Sequence, residues 1–414
     1  MKILFVSKYA SIKPLGKSSR QYLYSKKLVE LGNEVMLVFS RSSYNNNIPK
    51  FKGLYKVFKE GRLISVMLNG PSIKQGINFK RIFSWLLFEV NLFLFFKRIA
   101  SFKPNVVIIS SLSILTFLFG VFIKKILKIP LIIEVRDIYP LSIVEVGGFS
   151  KKNPLVRFLS WVEKFGYKNA DYIISSLENA KDHFEKVNKA PLNFKWLPMG
   201  FQKDIYVETP DKQTEEIIAE IIKKKQAGKF IIGYAGSFGK ANALNDLMEI
   251  TQDEQIKSER ISFIFIGEGP LKEGFIKKFT SNSTSFFPPV QKKYLPIILS
   301  ECDILVNTWL AKPIYRFGVS PNKWIDYMYS GRPILLALNS SSRIFNKADC
   351  GWQFAAENKL ELKKNIMKAK NTDKKILDKL GLNGKRYLTT ELSYDKLGKE
   401  LETILKKVVV DNIK

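Results

Sequence analysis

Histidine and cysteine are scarce in this chain of 414 residues. His183 is its one histidine, and its two cysteines, Cys302 and Cys350, lie far apart and outside any CxxC motif. A single histidine argues against a histidine-based metal site and against a Ser-His-Asp triad, and two cysteines cannot build a disulfide framework. The scarcity fits a reducing cytoplasm and leaves any acid–base chemistry to other side chains.

Long uninterrupted apolar runs are also missing. The opening MKILFVSKYA holds four consecutive apolar residues, which indicates a first strand rather than a secretory signal. Residues 82–96 are short for a membrane span and carry a carboxylate, Glu89, in mid-segment. Residues 106–123 divide into a strand, VVIISS, and the start of a helix, ILTFLFGVFIKKIL. We therefore interpret both segments as elements of an α/β domain.

The same two segments are rich in Phe and Leu. Basic residues flank them: Lys97, Arg98, Lys124, Lys125 and Lys128. Aromatic and aliphatic side chains bordered by lysines are typical of a face that lies on an anionic membrane surface. A buried core helix is the alternative.

Acidic residues are few in the first half of the chain. The formal net charge is +29, and residues 1–200 hold 32 lysines and arginines against 12 acidic residues. Such a field attracts polyanions, either nucleic acid or anionic lipid, although a solvated basic surface is the alternative. No nucleic-acid recognition motif accompanies the charge, so we expect no nucleic-acid partner and favour lipid.

Strand-like runs alternate with helical patterns, beginning with KILFVS, a helix around RQYLYSKKLVELG, and EVMLVFS. This alternation predicts parallel βαβ units. It breaks at WLPMGF (196–201), and a second series begins at FIIGYAG. We predict an α/β fold of two doubly wound, Rossmann-like domains, 1–200 and 201–392, with a helix in 393–414 that can pack back on the first. Ligands of such sheets bind outside the carboxyl ends of the strands.

Two loops of the first domain are candidates for binding. After the first strand, Gly16, Lys17 and Ser18 precede a helix whose backbone amides can face a ligand, with a plain turn as the alternative. The second loop, EVRDIYPLSIVEVGG, places charged residues where a core strand should end. Arg136 could clamp a phosphate or carboxylate and Asp137 could orient a hydroxyl, whereas an ion pair that fixes the loop is the alternative.

Two glycine-rich turns of the second domain could approach a phosphate. In GYAGSFGKANALNDL, Gly236 begins a turn in which Ser237 and Asn242 could assist, although a tight turn would need the same glycines. In FIGEGP, Gly267 and Glu268 end a strand and lead into a helix. We interpret Glu268 as a structural residue or a contact to a base edge, not as an acid catalyst.

The stretch GVSPNKWIDYMYSGRPIL (318–335) predicts a helix with Ser320 at its N-cap. Lys323 places a cation in the first turn, where the helix dipole disfavours it, which hints at an anionic ligand. Asp326, one turn further, could accept hydrogen bonds from a ribose diol. A capped helix with an incidental Lys–Asp pair is the alternative. The backbone amides ahead of the helix would face the ligand: those of Gly318, Val319 and Ser320.

Taken together, these motifs resemble the family 4 retaining nucleotide-sugar glycosyltransferases of the GT-B fold. The resemblance is greatest to the branch that builds bacterial O-antigens and capsules, the N-acetylfucosamine-transferase-like (WbuB-like) proteins. The matching stretches follow the family order over most of the chain: EVRDIYPLSIVEVGG, GYAGSFGKANALNDL, FIGEGP, FPPVQKKYLPIILSECDILV and GVSPNKWIDYM.

The resemblance implies that the second domain binds the nucleotide sugar and the first binds the acceptor. Of two family glutamates near the donor, the second corresponds to Asp326 and the first to Gly318. The family's diphosphate-binding Arg and Lys correspond to Ser237 and Asn242, so Lys323 and the helix N-terminus would carry more of the phosphate charge. A frequent family histidine corresponds to Arg136.

The implied function is metal-independent transfer, with retained configuration, of a sugar from a nucleotide sugar to a lipid-linked saccharide acceptor. The donor that the resemblance implies is of the UDP-N-acetylhexosamine type. Arg136, Asp137 and Lys323 would act in the reaction, and no cofactor is implied. The expected location is the inner face of the cytoplasmic membrane, as a peripheral protein. Two alternatives stay open: a non-catalytic GT-B subunit or scaffold at the membrane, and a nucleotide-sugar epimerase.

Overall fold

The computed structural model describes residues 1–16, 18–41, 48, 50–71, 79–111, 113–207 and 209–413. Its contacts divide the chain into two units, the first formed by Met1–Gly200 with Tyr394–Lys414 and the second by Phe201–Ser393. Each unit is a largely parallel sheet with helices packed against it, so the predicted α/β class is confirmed.

The first unit is built on an eight-stranded sheet of order β3-β4-β2-β1-β5-β6-β7-β8 within the described residues. Its strands are β1 Lys2–Val6, β2 Glu34–Ser40, β3 Tyr55–Glu60, β4 Leu63–Leu68, β5 Val106–Ser110, β6 Leu131–Val135, β7 Tyr172–Ser175 and β8 Phe194–Trp196. The central strands are continuous apolar runs, as expected where helices cover both faces of a parallel sheet. The hairpin β3–β4 pairs antiparallel at one edge, and a βαβ pattern does not predict it.

The helices of the first unit are α1 Arg20–Glu30, α2 Phe79–Phe102, α3 Thr116–Leu127, α4 Leu141–Glu145, α5 Pro154–Asn169 and α6 Lys181–Asn188. The C-terminal helix of the chain, here called α16 (Tyr394–Ile413), packs against α1. Local sequence explains several starts. The Ser19 hydroxyl accepts from the Tyr22 amide at the start of α1, and Asn153 caps α5 just before a proline at its first position.

The second unit has the sheet order β11-β10-β9-β12-β13-β14, and neighbouring strands pair in parallel. Its strands are β9 Phe230–Ala235, β10 Ile261–Ile266, β11 Thr284–Phe287, β12 Ile304–Thr308, β13 Ile334–Ala337 and β14 Gly351–Phe354. Its helices are α7 Lys212–Gln226, α8 Asn245–Ile250, α9 Glu254–Ser258, α10 Lys272–Phe279, α11 Leu295–Ser300, α12 Asn322–Tyr329, α13 Arg343–Ala348, α14 Lys359–Lys370 and α15 Lys374–Glu391. Order reverses beside β9, so the loops after β9 and β12 lie at the switch point where such sheets bind ligands.

Short 3-10 helices complete both units: Lys13–Leu15, Lys203–Ile205, Lys240–Asn242, Lys292–Tyr294 and Pro313–Phe317. Within the described ranges, no helix combines the length and the apolar character that crossing a membrane requires.

Candidate functional site

The loops that follow β9 and β10 are joined backbone to backbone. The Gly236 amide donates to the Ile266 carbonyl at 2.9 Å, and the Phe238 amide donates to the Glu268 carbonyl at 2.9 Å. A Cβ at Gly267 would lie 1.9 Å from the Gly236 carbonyl oxygen, so only glycine permits this approach. The Glu268 carboxylate lies outside this contact and is 3.5 Å from the Lys272 ammonium.

Helix α12 starts later than the sequence predicts. Ser320 was expected at the N-cap, but that prediction is wrong, because Pro321 occupies the N-cap position and the helix begins at Asn322. Pro321 is extended, with φ −77° and ψ 145°, and this leaves Ser320 one residue outside. Gly318, just ahead, has φ 92°, a conformation that a glutamate would adopt only with strain. Val319 and Ser320 are both half-buried there.

Lys323 reaches from the first turn of α12 to the loop after β9. Its ammonium donates to Asn242 Oδ1 at 2.7 Å and to the Tyr234 hydroxyl at 3.4 Å. It also lies 4.8 Å from the centre of the Tyr234 ring. A Cβ on Gly236 would be 3.3 Å from the ammonium. The structure thus brings together three residues that the sequence assigned to one anion site: Gly236, Asn242 and Lys323.

Neutral groups hold this cation in place. In the described part of the chain no carboxylate lies within salt-bridge distance of Lys323, and burial lowers its pKa to about 7. The Asn242 side chain that accepts from Lys323 donates in turn to the Ser237 carbonyl at 2.9 Å, and the Tyr234 hydroxyl donates to that carbonyl at 2.8 Å. Ser237 therefore contributes its backbone to this arrangement. A partly desolvated cation without an anion is suited to receive one.

Asp326 lies on the same helix but has other neighbours. Its Oδ1 accepts from the Tyr206 hydroxyl at 2.6 Å and lies 3.8 Å from the Lys292 ammonium. The residue is 5% exposed. Burial raises the pKa of the Asp326 carboxyl, and Lys292 and the Tyr206 hydroxyl offset part of that rise. The alternative of a Lys323–Asp326 ion pair is not observed among the described residues.

In the first unit, the buried charge within β6 is paired differently from the expectation. Glu134 accepts from Arg20 Nε at 2.8 Å and from Gln21 Nε2 at 2.9 Å. Burial alone would raise the pKa of Glu134, but Arg20, and then Arg136, lower it overall. Arg136 is half-buried, its amide donates to Ser111 Oγ at 3.0 Å, and Asp137 is exposed. Arg136 and Asp137 are therefore presented at the end of β6, and Arg20 neutralises the buried carboxylate.

The loop after β1 is described in part. Gly16 ends the 3-10 helix with φ 85°, and Ser18 lies just ahead of the residue that caps α1. The predicted site residue Lys17 lies outside the described residues.

Sequence reasoning missed two tyrosines of the second unit. Tyr234 is near the end of the apolar strand β9, and a phenol placed just before a glycine turn was the available signal. Tyr206 lies in a polar stretch after the 3-10 helix Lys203–Ile205, where no periodic pattern marks it.

Each unit is a Rossmann-like α/β domain, and the structural neighbours of the chain are GT-B glycosyltransferases. Sucrose-phosphate synthase from Thermosynechococcus elongatus aligns over 99% of both chains with a TM-score of 0.74 and 14% identity. HepE of Anabaena, solved in complex with UDP-glucose, aligns over 98% of this chain and 100% of its own with a TM-score of 0.63 and 14% identity. WaaG, described as a glycosyltransferase involved in lipopolysaccharide biosynthesis, aligns over 97% and 99% with a TM-score of 0.63 and 14% identity.

Similarity in sequence alone is narrower. A probable glycosyltransferase of Pseudomonas aeruginosa, WbjE, is 24% identical over 229 residues, which cover 53% of this chain and 55% of that protein. The aligned region thus spans about half the length of that curated relative. No protein-family model matches the chain.

Proposed function

We propose that the chain is a glycosyltransferase that takes its sugar from a nucleotide-sugar donor bound by the second unit. One observation carries this proposal: the Lys323 ammonium is held by Tyr234 and Asn242, with no carboxylate partner in the described residues. A donor diphosphate would supply the missing negative charge. The UDP-glucose complex of HepE supports a uridine diphosphate sugar as the donor. The transferred sugar that we propose is an N-acetylhexosamine.

The position of the cation also supports the proposal. The resemblance places the family's diphosphate-binding Arg and Lys at Ser237 and Asn242, in the loop after β9. Lys323 comes from α12 instead, and its ammonium is 2.7 Å from the Asn242 side chain. The Lys323 ammonium can therefore bind the diphosphate beside Asn242, although it comes from α12 and not from the loop after β9.

In the proposed reaction, the bond from the anomeric carbon to the diphosphate breaks and a bond to the acceptor oxygen forms on the same face. The departing phosphate oxygen accepts the acceptor's proton. Lys323 and the amides of Val319 and Ser320 stabilise the charge that develops on the diphosphate. The Gly236 and Gly318 amides, which the sequence assigned to the same role, donate instead to the Ile266 and Tyr315 carbonyls. In this scheme no metal is required. Arg136 and Asp137 would position the transferred sugar or the acceptor hydroxyl, and the acceptor would also meet Gly16, Lys17 and Ser18.

The acceptor we propose is a lipid-linked saccharide, reached at an anionic membrane surface. Helix α2 exposes an apolar stripe at helical spacing, between 45% and 65% exposed: Phe83, Leu86, Val90, Phe93 and Leu94. Helix α3 packs against both α2 and α5. Helices α3 and α5 add three further exposed apolar residues: Ile126, Phe158 and Trp161. Basic residues border this apolar surface, so it is suited to the headgroup region of an anionic bilayer.

Transfer to the acceptor tests the function. The full chain is incubated with a panel of UDP-sugars and a polyprenyl-diphosphate-linked saccharide on liposomes, and the product is detected by mass spectrometry. We expect one donor to be used without added metal and in the presence of EDTA. Lys323→Ala should lower turnover by about 10²–10³-fold. Lys368→Ala is the control, because Lys368 is exposed and lies over a tryptophan ring, Trp352, outside the proposed site.

A non-catalytic GT-B subunit is the second candidate, favoured by Gly318. Its φ of 92° leaves no unstrained place for the glutamate that the family has there. Nucleotide binding without turnover of any donor in the panel would support this second candidate over the enzyme.

A further inference from the structure

The Asp326 carboxylate is held by a tyrosine from another part of the second unit. Tyr206 follows the 3-10 helix Lys203–Ile205, and its ring stacks on Tyr329, with centroids 4.7 Å apart and planes 29° apart. The Phe201 ring also stacks on the Tyr206 ring, with centroids 6.1 Å apart and planes 15° apart. These contacts fix the phenol, so its hydroxyl meets the carboxylate in one orientation.

The two polar contacts of Asp326 use one oxygen. The Tyr206 hydroxyl donates to Oδ1 at 2.6 Å, and the Lys292 ammonium is 3.8 Å from the same atom. Within the ranges that the structure describes, Asp326 Oδ2 accepts no hydrogen bond. Burial, and then the Asp326 charge, raises the pKa of the Tyr206 phenol. The phenol therefore stays protonated and remains a donor.

We propose that Tyr206 is a positioning residue of the donor site, which occupies Asp326 Oδ1 and thereby directs Oδ2 to the 2′-hydroxyl of a ribose. This inference rests on the proposed function, because it assumes that the second unit binds a nucleoside diphosphate. It deepens that function by assigning to Tyr206 the discrimination between a ribose and a 2′-deoxyribose at this carboxylate.

The selectivity follows from burial. A ribose hydroxyl can donate to Oδ2, whereas a 2′-deoxyribose leaves that oxygen of a buried carboxylate without a donor. A hydrogen bond to a charged group contributes enough for about 10- to 100-fold in affinity. Without the Tyr206 hydroxyl, the carboxylate can turn and lose its fixed direction. Discrimination at the ribose should then fall more than affinity for the rest of the nucleotide.

The test is a calorimetric titration of the full chain with UDP, GDP and their 2′-deoxy counterparts. We expect the wild-type chain to bind the better ribonucleotide about 10- to 100-fold more tightly than its 2′-deoxy form. Tyr206→Phe keeps the ring stack and removes the hydroxyl, and should reduce this ratio to below about threefold. Tyr329→Phe is the matched control, since that ring belongs to the same stack and Asp326 has no contact with its hydroxyl; its ratio should equal that of wild type.

Each outcome bears on the inference. Equal weakening of ribo and deoxy forms by Tyr206→Phe would make Tyr206 a purely structural residue and overturn the inference, as would a wild-type ratio near one. In both cases the nucleotide-binding function would stand. If the wild-type chain binds neither UDP nor GDP, the proposed function itself fails. Circular dichroism and thermal unfolding confirm that each variant is folded.

Discussion

Two cations lie inside the units of this protein in opposite circumstances. Arg20 of the first unit is buried against Glu134 and donates to the Leu197 carbonyl at 2.8 Å. Among the residues that the structure describes, the polar and aromatic partners of Lys323 in the second unit are a neutral hydroxyl, an amide oxygen and an aromatic ring. A charge that is fully paired holds a fold together, whereas a charge kept in place by neutral groups is ready to bind a ligand. We therefore expect Arg20 to stabilise the first unit and Lys323 to bind a ligand of the second.

We expect the largest effect when the buried ion pair between Arg20 and Glu134 is broken. Glu134→Ala leaves Arg20 buried without its anion, which should lower the free energy of unfolding by about 3–5 kcal/mol. Urea unfolding of the full chain, followed by tryptophan fluorescence, measures the loss in the transition of the first unit. Glu34→Ala is the control, because its ion pair with Lys2 is 3.7 Å long and exposed and should contribute under about 1 kcal/mol. Similar losses for the two variants would refute the structural role of the Arg20–Glu134 pair.

Removing the charge of Lys323 should not lower the free energy of unfolding. Lys323→Met removes a partly desolvated charge and keeps most of the side-chain volume, so the free energy of unfolding should stay within about 1 kcal/mol of wild type or rise. The same urea titration, read in the second unit's transition, checks this. A loss comparable to that of Glu134→Ala would mean that Lys323 stabilises the fold, as Arg20 does.

Nucleotide affinity should depend on pH through Lys323. Its pKa is about 7 in the free protein, and a bound diphosphate raises it, so the affinity is fully present below pH 7 and falls as pH rises above 7. Between pH 7.5 and 8.5 the dissociation constant of UDP should rise by up to about tenfold, with proton uptake on binding measurable by calorimetry in two buffers. Lys323→Arg, which stays charged, should show a flat profile; an equally steep profile in that variant would assign the titration to another group.

The smallest effect concerns the membrane surface. Leu94→Glu places a negative charge in the apolar stripe of α2 and should reduce binding to anionic liposomes by about three- to tenfold, since it removes apolar contact and adds repulsion. Leu360→Glu is the matched control, because Leu360 is an exposed leucine on α14 of the second unit. Co-sedimentation at two salt concentrations provides the measurement. Equal loss in both variants would argue against α2 as the docking face.

The sequence predicted most of the fold because alternating apolar strands and helices are a local signal. This signal did not predict the antiparallel hairpin β3–β4, which depends on pairing at the edge of the folded sheet. It also did not predict the start of α12, which depends on the extended conformation of Pro321. In the site, Lys323 was predicted from its place in a helix turn. Its partner Tyr234 and the link from Tyr206 to Asp326 could not be predicted, because residues 89 and 120 positions apart meet only in the folded unit.

Calorimetric titration of UDP into wild type, Lys323→Ala and Lys368→Ala measures whether Lys323 binds the donor diphosphate. We expect wild type and Lys368→Ala to bind UDP alike, and Lys323→Ala to bind it at least about tenfold more weakly because the diphosphate loses its cation. UDP affinity that is the same in all three proteins would contradict the assignment of Lys323 to the donor diphosphate.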